Sequence, residues 1–77
     1  MDDAMIEHLT ALRAKALEKY GPIANNYEGM GALQLEFDEV KAAMQERKPW
    51  KIRLELLDVM NVCTRWIDAI DVEADHG

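Results

Sequence analysis

Four carboxylates give this chain its chemical character. Glu36 and Glu39 stand three residues apart, and so do Glu55 and Asp58. Side chains three apart on a helix share a face, so each pair presents two carboxylates in one direction. Converging carboxylates make the all-oxygen setting that hard divalent cations such as magnesium take, with positions left for water or phosphate. A single pair of this kind is ordinary helix acidity answered by lysine and arginine. Two pairs, each rotated away from the polar face of its own segment, are a more specific signal.

The helical wheel shows that rotation. At about 100° per residue, Gln34, Asp38, Lys41 and Gln45 gather on one polar face, and Glu36 falls nearly opposite its centre. Glu39 lies about 60° from Glu36. Their neighbours are Ala32 and Ala43, flanked by Leu33 and Val40 on one side and by Leu35 and Ala42 on the other. In the next segment Ile52, Leu56, Val59, Cys63, Trp66, Ile67 and Ile70 form a wide apolar arc, with Arg53, Thr64, Asp68 and Asp71 on the wet side. Glu55 falls inside that arc and Asp58 on its border. Carboxylates on such faces are costly unless they are protonated, paired with cations or bound to metal.

Breaks in the chain define the elements that must hold these groups. Gly21-Pro22 through Asn25-Asn26 is one, and Lys48-Pro49 is the other. None of the three segments shows the strict alternation of an amphipathic strand. The first predicts a helix over Asp3–Tyr20, with Met5, Leu9, Leu12 and Ala16 as its inner face, Asp2 and Asp3 at its N-terminal end and Gly21-Pro22 as its stop. The second predicts a helix over Tyr27–Arg47, capped by Asn25 or Asn26, with Met30, Leu33, Phe37, Val40 and Met44 as its core stripe. Gly29 and Gly31 predict an irregular first turn there, with Glu28 as a dipole partner. The third predicts a helix over Pro49–Val72 and a frayed polar tail from Glu73 to Gly77. The methionines and Phe37 are expected in the core, Trp66 in the core or a subunit interface, and Trp50 partly exposed. Cys63 reads as a small buried apolar residue, and His8 and His76 as solvated.

The short connection at Lys48-Pro49 predicts an antiparallel hairpin of the second and third helices. Glu39 lies eight residues before Arg47, and Glu55 six after Pro49. The two acidic pairs therefore come to comparable heights and converge between the helices. The expected fold class is all-α: one domain over residues 1–77, a three-helix chain with a central antiparallel hairpin.

Size and charge narrow the function classes. The chain has 77 residues, 49% hydrophobic and 31% charged, with one cysteine and a net charge of −6. That is globular, too short for a two-lobed enzyme, and without the cysteines for an internal disulfide or a zinc cluster. Excess acid argues against nucleic-acid partners. No apolar run reaches a membrane span, and the acidic MDDAMIEHL start is unlike a secretory signal, so the expected compartment is the cytoplasm. A core this small with so wide an apolar arc predicts a homodimer.

The stretch KYGPIANNYEGMGALQLEFDEVKAAMQERKPWKIRLELLDVMNVCTRW, about Tyr20 to Trp66, resembles the MazG-like branch of the all-α nucleoside triphosphate pyrophosphohydrolases. The family pattern is Glu-x-x-Glu on one helix and Glu-x-x-Asp on the next, matched here by Glu36/Glu39 and Glu55/Asp58. The resemblance implies that these four bind magnesium, with manganese as a substitute, and that water attacks a bound NTP or dNTP to give the monophosphate and pyrophosphate. It also implies a helical-bundle dimer or dimer of dimers. Arg47, Lys48, Lys51 and Arg65 are candidates to receive phosphates, and Asn61 a candidate for metal, base or sugar; Asn61, Lys51 and Arg65 are the expected substrate-binding set. Leu35 departs from the pattern, since many relatives place glutamate there, and larger relatives continue into a further helix. Those departures keep open a non-catalytic helical adaptor that retains the fold.

Overall fold

The computed structural model describes residues 2–76, and among them every regular element is a helix: α1 Asp3–Tyr20, α2 Asn26–Glu46 and α3 Pro49–His76. The ends follow local chemistry. The Asp2 carboxylate accepts from the Met5 N–H at 2.8 Å and caps α1. Gly21 ends it at φ +73°, a conformation that favours glycine, and its N–H returns to the Leu17 carbonyl at 2.8 Å. Asn25 is the cap of α2 and accepts from Glu28 N–H at 2.9 Å, while the Glu28 carboxylate accepts from Ala24 N–H at 3.3 Å. This reciprocal pair resembles a capping box. Arg47 closes α2 in the left-handed region at φ 59°.

Two expectations about these ends are corrected. The start of α2 is regular, because Gly29 is needed for packing and its cap is complete. A Cβ built on Gly29 would lie 2.5 Å from the Trp66 ring, so only glycine admits the indole there. The expected frayed tail from Glu73 is helical as far as His76: Glu and Ala are good helix formers, and no glycine or proline interrupts them. Gly77 lies outside the described residues.

α3 is the central element. It packs against both α2 and α1, and α1 makes no direct packing contact with α2. The α2/α3 hairpin is antiparallel, and its register follows from the bend: Trp66 touches Gly29 and donates from Nε1 to the Asn26 Oδ1 at 2.8 Å. α1 runs parallel to α3, joined by the Asn61 Nδ2 bond to the Leu12 carbonyl at 3.3 Å and by the Arg13–Asp68 ion pair. The first and second helices therefore stand as two walls over a floor made by α3.

The buried set among the described residues is small: Ile23, Gly29, Ala43, Leu57 and Val62, with the polar Asn61 and Arg65 beside them. The core stripe expected on α2 is corrected. Met30, Phe37 and Met44 are each at least half exposed, at 54%, 50% and 58%. Leu33 and Val40 of that stripe are half-buried, and the more buried line beside them is Gly29, Ala32 and Ala43, small residues that let the backbones approach, with Glu36 among them. Met30, Phe37 and Met44 lie about 80–120° round from Glu36, on the side away from α1. Leu56, Ile67 and Ile70 of α3 are also about half exposed, and the wheel puts them on that same back face of the hairpin. Asp68 and Thr64, expected to be solvated, are half-buried because α1 lies over them. His8 and Cys63 are likewise half-buried, and Trp50 is exposed. Among the described residues no helix is long and apolar enough to cross a membrane.

Candidate functional site

The hairpin register brings the four carboxylates together. One oxygen from each of Glu36, Glu39, Glu55 and Asp58 lies within 4.8 Å of the other three. The two pairs meet at one height, as expected, with Glu36 beside Asp58 and Glu39 beside Glu55. Glu39 is exposed and the other three are half-buried.

This crowding changes the acids. Burial first, and then the charges of Glu39, Asp58 and Glu55, push Glu36 from 4.5 up to about 7. Burial and then Glu39 raise Glu55. Asp58 is also raised, by burial and then by Glu39, against smaller lowering by Glu55 and His8. Oε2 of Glu36 and Oε2 of Glu55 are buried without a hydrogen-bond partner. No ion pair among the described residues involves any of the four. A protein that needed these acids only for stability would place cations against them, since orphaned buried acceptors cost free energy.

The cluster fits a hard divalent cation. Ligand oxygens opposite one another across a magnesium ion lie about 4.2 Å apart, and across calcium about 5 Å. The upper bound of 4.8 Å among the four oxygens is inside the calcium figure and about half an ångström beyond the magnesium one, a difference that small side-chain rotations close. All four donors are carboxylate oxygens, the set that hard cations prefer.

Glu36, Glu39 and Asp58 open onto a groove of about 350 Å³ between α1 and α2, with α3 as its floor. Asn61 and Arg65 line the same groove, as expected. Lys51 does not. It pairs with Glu46 beside the hairpin bend, one turn before Glu55 on the same side of α3, and so lies short of the groove. Arg47 and Lys48 belong to the bend and also lie outside the groove lining. The sequence reading missed Lys15 and Lys19, which form part of the α1 wall. The available signal was their spacing: Leu12, Lys15, Ala16 and Lys19 follow i, i+3, i+4, i+7 along the edge of the α1 apolar face. A larger cavity of about 680 Å³ opens beneath the Gly21–Asn25 connection, among Leu17, Ile23, Tyr27, Trp66 and Ile70. Its lining is mostly apolar, shares Arg65 with the smaller groove and includes none of the four carboxylates.

Comparison with protein-family profiles, with curated proteins and with solved structures gives no match. The functional reading therefore stands on the residues and their geometry.

Proposed function

We propose that the chain is a magnesium-dependent nucleoside triphosphate pyrophosphohydrolase of the MazG-like kind. The observation that carries this reading is the convergence of Glu36, Glu39, Glu55 and Asp58, unpaired, at the edge of an open groove. The resemblance of the Glu-x-x-Glu and Glu-x-x-Asp segments to that family supplies the substrate class. A bound divalent cation would neutralise phosphate charge and lower the pKa of a coordinated water. The chain's own contribution is positional. Glu36 and Asp58 from facing helices, with Glu39 and Glu55 beside them, would hold the cation between α2 and α3. Rigid helices fix the four oxygens, and the groove leaves the outer side free for phosphate. The raised Glu36, Glu55 and Asp58 would lose their protons on loading, so metal affinity rises with pH.

The working form in this reading is a homodimer. Met30, Phe37, Met44, Leu56, Ile67 and Ile70 leave the back of the hairpin apolar and exposed, an area that a second copy would cover. A monomeric mass by light scattering at micromolar concentration would count against it.

The test is direct. Purified protein incubated with a panel of NTPs and dNTPs, plus magnesium or manganese, should release pyrophosphate and a nucleoside monophosphate. No release from any nucleotide by an intact protein would reject the reading. A magnesium-dependent rise in melting temperature checks the metal site separately. Its absence, with saturable binding to a protein partner, would instead favour the helical adaptor.

A further inference from the structure

The groove contains two sets of charges that do not meet. On one side are the carboxylates, none of them in an ion pair among the described residues. On the other are Lys15 and Lys19 of α1 and Arg65 of α3. Arg65 is only 8% exposed, its Nε is buried without a hydrogen-bond acceptor, and no ion pair among the described residues includes it. Asn61, only 6% exposed, lies between them in sequence on the groove floor with its Oδ1 also unpartnered. A buried guanidinium without an anion is as costly as a buried carboxylate without a cation. Both costs persist in one groove, although closing the gap would remove both. Two unsatisfied sets of opposite sign, held apart on rigid helices, are what a ligand of alternating charge requires.

From this we propose that Lys15, Lys19 and Arg65 form an anion subsite that receives a phosphate group of the substrate. The cation would lie against the carboxylates and the phosphate between it and these three side chains. Arg65 offers a planar fork of N–H donors fixed by burial, and the two lysines add mobile point charges from the wall above it. Lys19 is further placed by the Tyr20 ring, whose centroid is 5.0 Å from its Nζ. Lys15 lies outside the segment that carries the family resemblance, and Lys19 stands at its first residue. The subsite replaces Lys51 and the bend residues as the phosphate partners. The identity of the anion as a phosphate rests on the pyrophosphohydrolase reading; the unpaired cations do not.

The experiment uses inorganic pyrophosphate as probe, titrated into the full chain by calorimetry at saturating magnesium, with magnesium alone titrated in parallel. Both lysines are exposed, so the Lys15→Gln/Lys19→Gln variant leaves the fold and buried Arg65 intact. It should weaken pyrophosphate binding by about tenfold or more, the scale of losing charge-assisted hydrogen bonds. Its affinity for magnesium alone should be unchanged. Lys41→Gln/Lys48→Gln removes the same charge away from the groove and should leave pyrophosphate affinity within about twofold, because exposed charges beyond the groove are screened. Equal weakening by the two double variants, no weakening by the first, or no binding of pyrophosphate to the unaltered chain would overturn the subsite. Pyrophosphate binding that depends on Lys15 and Lys19 in a chain that binds no magnesium would reject the pyrophosphohydrolase reading and leave the subsite standing.

Discussion

The same two helices meet in two different ways along the hairpin. Near the open end, Gly29 admits the Trp66 ring to within contact distance, and the indole N–H finds Asn26. Shape is matched and the polar group is satisfied. About two turns along α2, the facing residues are Glu36, Glu39, Glu55 and Asp58, with two buried oxygens lacking partners and the acids driven toward protonation. One layer holds the helices in register. The other spends that register on an arrangement that is unfavourable by itself. The contrast teaches that the packed layer sets the geometry of the charged one, since a one-residue slip would separate the carboxylates.

Breaking each layer separately should give opposite results. The largest effect is expected in the charged layer. Glu39→Gln or Asp58→Asn should lower pyrophosphate release by about a hundredfold or more, as loss of a positioned metal or acid–base group does. The melting temperature without metal should be kept or raised, because a like charge has been removed. Retained activity would reject the residue assignment. Gly29→Ala attacks the packed layer. Its Cβ would meet the Trp66 ring at 2.5 Å, and overpacking of this kind costs about 1–3 kcal/mol. Denaturant titration should show that loss, and an unchanged midpoint would mean that the indole is not held as described.

Acid titration sharpens the comparison further. Glu36, Glu55 and Asp58 are all raised in the folded chain, so the folded state holds protons that the unfolded chain releases. Their contribution is fully favourable below the ordinary carboxylate range. It is lost as pH rises through the folded value, which for Glu36 is about 7. Melting curves in a chelator should therefore fall between pH 4.5 and about 7 in that part of the profile governed by the cluster. Magnesium should restore stability most above that window and least below it. An equal magnesium effect at both ends would remove the carboxylates from the binding site. The smallest effect belongs to the bend. Arg47 holds φ 59°, where a side chain is strained, so Arg47→Gly should stabilise by up to about 1 kcal/mol with activity unchanged. A loss of stability would show that the arginine side chain holds the bend.

The legible part of the fold came from local rules. Asp2, Gly21-Pro22, Asn25 and Pro49 mark helix ends through hydrogen bonding and steric limits that involve only near neighbours. The acidic pairs were legible because the rotation of Glu36 from Gln34, Asp38 and Lys41 is a property of one helix, and the height match follows from counting out from the bend. Burial on α2 was not legible. Met30, Phe37 and Met44 look like a core stripe by hydrophobicity, yet small residues at Gly29, Ala32 and Ala43 let α3 approach on the neighbouring face. The lining of the groove was not legible either. Lys51 shares a side of α3 with Glu55 but pairs with Glu46 at the bend, and the groove beside the carboxylates is lined by Lys15 and Lys19 of α1 instead.

By itself, then, the sequence determined three helices, their boundaries to within a few residues, a hairpin and the layer at which four carboxylates meet. Those are consequences of backbone geometry, capping and period, all short-ranged. The tertiary structure decided where α1 rests, which brings Lys15 and Lys19 over the same groove as Asn61 and Arg65. It also decided which apolar edge stays exposed. Both depend on how closely whole helices approach, and that is set by residues far apart in the chain, such as Gly29 with Trp66 and Leu12 with Asn61.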